Sequence, residues 1–132
     1  MENKSNDATP LRPQGERILN AALVEMDLNK FINQIREETT WNDSDHNSIT
    51  IFKSDTLRIV LIGLHEKSIL KTHTANAIIS VQVLEGAIKF TAEQQVVSLT
   101  KGQMVALQPK VQHSVEAETE SFFLLTVAAL AK

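Results

Sequence analysis

From Ser48 onward the apolar residues fall in short runs that alternate with polar positions at a period of two. The runs are ITIFK, LRIVLIGLH, AIISVQVLE, AIKFTA, QVVSLT, QMVALQ and ESFFLLTVA. They are rich in Val, Ile, Phe and Thr, which suit a pleated, half-buried surface. Turn residues separate them at Lys53-Ser54-Asp55, Glu85-Gly86, Glu93-Gln94 and Lys101-Gly102. No helical stretch lies between them, so parallel crossovers are excluded and the strands are expected to pair antiparallel. So many strands over residues 48–128 predict an all-β sandwich, jelly roll or small barrel.

The same alternation assigns faces. Ile79, Val81 and Val83 share one side of AIISVQVLE, with Ile78, Ser80, Gln82 and Leu84 on the other. Ile88 and Phe90 oppose Ala87, Lys89 and Thr91. Met104, Ala106 and Gln108 oppose Val105 and Leu107. Several strands are apolar on both faces. One face then lines a barrel interior, and the other is covered by a second sheet, a helix or another subunit. ESFFLLTVAAL is apolar on both sides and LRIVLIGL nearly so, more than one barrel can bury, so a homodimer is expected.

One helix precedes the strands. Asp27 is a natural N-cap, and Leu28, Phe31, Ile32 and Ile35 follow along one face, which predicts a helix over about 28–37 packed outside the barrel. Upstream, AALVEM reads as a short strand. Downstream, TTWNDSDHNS reads as a loop whose Trp41 packs against the helix. Residues 1–16, with Pro10, Pro13 and Gly15, read as a flexible N-terminal arm, and 17–132 as a single domain.

Composition narrows the chemistry. The chain has 132 residues, 42% of them apolar, and no cysteine. A disulfide framework, a thiolate nucleophile and a cysteine metal cluster are thereby excluded. A net charge of −3 without a basic stripe argues against nucleic acid. The polar start is no signal peptide and the apolar runs are strand-sized, so no membrane segment and a cytoplasmic location are expected. There is no glycine-rich phosphate loop and no Ser-His-Asp arrangement. Glu37-Glu38, Asp43-Asp45 and Glu116-Glu118 read as solvated surface, as do His46 and His65.

The run from His73 to Glu116 resembles the two conserved stretches of the cupin superfamily. VLEG supplies the closing glycine of the first stretch, Gly86, and counting back seven places puts Ile79 at the family's glutamate ligand. With the shorter family spacer His73 takes the first histidine position and Ala75 the second. With the longer one those positions fall on Thr72 and Thr74. In the second stretch Gly102 and His113 match. Gln108 stands at the proline, Pro109 one place late, Lys110 replaces the second glycine, and Ala117 stands at the asparagine. The resemblance covers roughly residues 48–128 and implies a cupin-type jelly-roll barrel with an eroded metal motif.

A cupin metal site resembles three histidines and a glutamate converging inside the barrel, a set suited to divalent transition ions. This chain offers His73 and His113 only, so no cofactor is expected and a divalent transition metal would bind weakly. The leading expectation is a non-catalytic cupin that binds or senses a small molecule. Its pocket would hold His73, Ile79, Val81, Phe90, Met104, Gln108 and His113. The alternative is a metal-dependent enzyme of dioxygenase or isomerase type using His73 and His113. A third reading is a barrel filled by its own side chains.

Overall fold

The computed structural model describes residues 4–6, 17–72 and 74–130. Strands β1 (Lys4–Asn6) and β2 (Arg17–Asn20) pair antiparallel and precede helices α1 (Leu28–Glu37) and α2 (Thr39–Asp43). There follow β3 (His46–Lys53), β4 (Leu57–Leu64), β5 (Ile69–Thr72), β6 (Ala77–Glu85), β7 (Ala87–Ala92), β8 (Gln95–Thr100), β9 (Met104–Leu107), β10 (His113–Ala117) and β11 (Ser121–Ala129). β3 to β11 form two antiparallel sheets, one ordered β3-β4-β11-β6-β9 and the other β5-β10-β7-β8.

The five-stranded sheet carries apolar side chains on both faces, and each face has its own cover. On the inner face Ile62, Val83 and Phe123 meet Ile88, Phe90 and Val115 of the four-stranded sheet, forming the barrel core. On the outer face Ile49, Leu61 and Phe122 receive Ile32 and Ile35 from α1 and Trp41 from α2. Burying each such side chain contributes about 1.5–3 kcal/mol. The double apolar pattern of β4 and β11 is thus largely satisfied within one chain.

α1 starts where its cap dictates. The Asp27 carboxylate accepts from the backbone N–H groups of Asn29 and Lys30, at 3.1 and 3.3 Å. At the other end Arg36 reaches Glu85 and Glu120, both at 3.2 Å, and its guanidinium lies 4.5 Å from the Phe122 ring centroid. These groups are more than a third exposed, so each ion pair contributes less than about 1 kcal/mol.

Glu38 corrects the solvated-surface reading: it is buried, and its carboxylate accepts from Asn47 Nδ2 at 3.0 Å and Gln34 Nε2 at 2.9 Å. The segment read as a loop begins with a helical turn, α2, because that turn delivers Trp41 into the outer core. The upstream strand falls on Arg17–Asn20 rather than on AALVEM, whose Leu23 stays 87% exposed.

Two glycines answer to geometry. At Gly63 a Cβ would sit 2.6 Å from Phe122 Cε1 and 3.2 Å from Trp41. Gly86 adopts a φ of 91°, and a Cβ there would collide with the Glu120 carbonyl and the Ser121 hydroxyl. Among the described residues, no helix is long and apolar enough to cross a membrane.

Candidate functional site at the barrel mouth

One end of the barrel is built by the starts of β6 and β10 and the ends of β7 and β9. Pairing sets His113 opposite Ala92 of β7 and Thr72 of β5. Strand alternation then puts His113 on the same inward face as Val115 and Phe90. His113 is half-buried, and its Nδ1–H donates to the Val111 carbonyl at 3.0 Å. Its ring lies nearly parallel to Phe90, with centroids 5.6 Å apart and planes 12° apart. The loop carrying His113 is pinned by Lys110, whose N–H donates to the Ala75 carbonyl at 2.9 Å. Lys110 has a φ of 67°, so the backbone holds a glycine-like conformation where the resemblance has its second glycine.

Of the expected pocket residues, Ile79, Val81 and Phe90 do face inward, only 6%, 2% and 2% exposed. Val81 and Phe90 are members of the packed barrel core. Met104 and Gln108 do not line the interior. Met104 is 53% exposed, and Gln108 also lies exposed. Register is the reason: Val81 pairs with Val105 and Ile79 with Leu107, which turns Val105 and Leu107 inward and Met104 outward. His73 lies outside the described residues.

Inward space instead opens beside Phe90, as a cleft of about 210 Å³ between the edge strands β8 and β9. Phe90, Ala92, Val97, Val105 and Leu107 line it, with Gln95 at its rim. Sequence reasoning missed Val105 and Leu107 because QMVALQ is equally apolar on both sides. Only the register with β6 separates them.

The metal set of the resemblance is not assembled by the described residues. No three His, Cys, Asp or Glu side chains among them converge. Position 79 faces inward as the motif count implies, but it is an isoleucine in an apolar setting. The donors described therefore do not fit such a centre.

Two other histidines lie elsewhere. His65, expected at the surface, is half-buried at the opposite end of the barrel. Its Nε2–H donates to the Trp41 carbonyl at 2.6 Å, and its ring stacks on Trp41 at 3.7 Å. His46 Nδ1–H donates to Asp45 at 2.8 Å. This hydrogen bond is the main cause holding the Asp45 carboxyl below its ordinary pKa.

Comparison with known proteins places the fold. No family model and no curated protein matches the sequence. Solved structures do. A cupin superfamily protein from Desulfitobacterium hafniense superposes with a TM-score of 0.63 at 14% identity, over 64% of this chain and 78% of that one. The cupin domain of an XRE-family transcriptional regulator from Enterobacter cloacae gives 0.61 at 16%, over 67% and 100%. Salicylate 1,2-dioxygenase from Pseudoaminobacter salicylatoxidans gives 0.69 at 19%, over 92% of this chain but 35% of that one. The chain therefore has the antiparallel jelly-roll fold of the cupins, a fold that carries both enzymes and regulators.

Proposed function

We propose that this protein is a non-catalytic cupin that binds or senses a small molecule in the cytoplasm, with His113 as the polar anchor of an apolar mouth. The observation that carries the reading is the His113 imidazole, bonded to the Val111 carbonyl and laid on Phe90, whose ring lines a cleft of apolar side chains, while the groups around His113 itself are polar: Lys71, Thr91, Glu93, Gln112 and Ser114. Apolar walls with few polar groups are the usual balance of a ligand pocket. The regulator domain that shares this fold supports a sensing role.

A homodimer accompanies this reading. Ile78 and Met104, 43% and 53% exposed, lie on the outer face of β6 and β9, beyond the part that the helices cover. A twofold contact there would bury them.

The test is extraction of the purified protein followed by mass spectrometry. A bound organic molecule, depleted in His113→Ala, supports the proposal. The competing reading is a metal-dependent enzyme using His73 and His113. It draws support from the His113 Nδ1–H donated to a backbone carbonyl, an arrangement usual for ligating histidines. About one equivalent of transition metal per chain by elemental analysis, lost on replacing His73 or His113, would favour that enzyme and overturn the binding proposal.

A further inference from the structure

The fold leaves its two sheets unjoined on one side. β8 is the last strand of the four-stranded sheet and β9 the last of the five-stranded one, and the two do not pair. The cleft beside Phe90 lies in this seam. Phe90 has Val97 of β8 as its cross-strand partner, and His113 lies on the β10 side of the same strand. The phenyl ring thus stands as a wall between the mouth histidine and the seam.

We propose that the seam between β8 and β9 takes up a small uncharged ligand of roughly eight to ten non-hydrogen atoms, an aromatic ring or short branched chain bearing one hydrogen-bonding head. This rests on the binding role proposed above but seats the ligand across Phe90 from His113, with Gln95 as the polar group it meets. Size sets the first limit. An engineered apolar cavity of ~150 Å³ takes up benzene, so a cleft of about 210 Å³ holds one ring and a short substituent. Drug-sized ligands need ~300 Å³ or more.

Charge sets the second limit. None of the side chains lining the cleft is ionisable, so a carboxylate or ammonium inside would be stranded without a counter-charge. The rim adds one amide, Gln95, able to donate and accept. Glu93, exposed in the adjoining turn, further disfavours an anion.

The test uses fluorine NMR on the full chain with 4-fluorobenzyl alcohol, 4-fluorobenzoate and 4-fluorobenzylamine as probes. The alcohol is expected to show saturable line broadening, with the benzoate and the amine at least tenfold weaker. Gln95→Leu should weaken the alcohol several-fold, and Val97→Trp, which fills the seam, should abolish its binding. Val105→Ala widens the cleft and should admit 6-fluoro-2-naphthol, which the parent excludes; this keeps the proposal open to test if Val97→Trp does not fold. Saturable alcohol binding that survives Val97→Trp, or that ignores both Gln95→Leu and Val105→Ala, overturns the seam while leaving small-molecule binding standing. Equal binding of benzoate and alcohol overturns the uncharged class. No saturable binding of any probe, with an extracted ligand depleted in His113→Ala, would retain the mouth and remove the seam. No probe bound and no ligand extracted would remove both.

Discussion

Replacing Asn47 with alanine should uncouple the helical layer from the sheet it covers. Asn47 is 6% exposed, and its amide donates to the Ile35 carbonyl at 3.3 Å and to the Glu38 carboxylate at 3.0 Å. One side chain of β3 thus holds the last turn of α1 and the residue that ends it. A neutral hydrogen bond contributes about 1 kcal/mol and one to a carboxylate about 1.5–3, so the loss is about 2–4 kcal/mol. At this chain length each kcal/mol moves the melting temperature by roughly 3–5 °C, which predicts a fall on the order of 10 °C. Trp41, the chain's single tryptophan, sits in the same layer, so its fluorescence reports the transition. A double-mutant cycle with Glu38→Ala should show a coupling on the order of 1 kcal/mol. A melting temperature within ~2 °C of the parent would refute the brace, given the stated scale.

Gly63→Ala should lower the denaturant midpoint by the equivalent of about 1–3 kcal/mol, because the added methyl meets the Phe122 ring; an unchanged midpoint contradicts that contact. Ile79→Glu should destabilise the barrel by placing a carboxylate on its inward face, and added Ni²⁺ or Zn²⁺ should recover part of the loss; metal without effect would mean that positions 79 and 113 do not converge. The Asp45 carboxyl should titrate below its ordinary range by carbon NMR and relax upward in His46→Gln, since the His46 hydrogen bond is the leading cause. Because its folded pKa lies below the unfolded one, the small stabilisation it brings is present above the unfolded value and fades as pH falls through the folded one. Sedimentation should give twice the 14.7 kDa chain mass at micromolar concentration, and Met104→Glu should shift it toward the monomer.

Much of the barrel could be read from the chain because alternation and turn chemistry agree there. AIISVQVLE and AIKFTA coincide with β6 and β7, with Gly86 between them in the left-handed region. β5 and β10 are hard to delimit from the chain because ILKT and HSVEA are short and mixed, and neighbours on the sheet decide their conformation. α2 was hidden for a related reason: burial of Trp41 against Phe122 overrides a run of Thr, Asn and Asp. At the site, the inward direction of Ile79, Val81 and Phe90 followed from parity alone. The side of β9 did not, since Met104 and Val105 are equally apolar and a one-residue choice exchanges them. His65 looked superficial because nothing in its neighbourhood along the chain announces the indole that stacks on it.

Phe122 and Phe123 are consecutive, yet one fills the helical layer and the other the barrel. β11 also comes after both strands it joins, β4 and β6, in chain order. During synthesis, then, every earlier strand of the sheet emerges before the piece that unites them. A nascent chain stalled ahead of Ser121 would hold a β3–β4 hairpin and a β6–β9 pair with no hydrogen-bonded bridge between them. Both cores would still lack a phenylalanine, so β11 is the natural keystone for a single cooperative folding step.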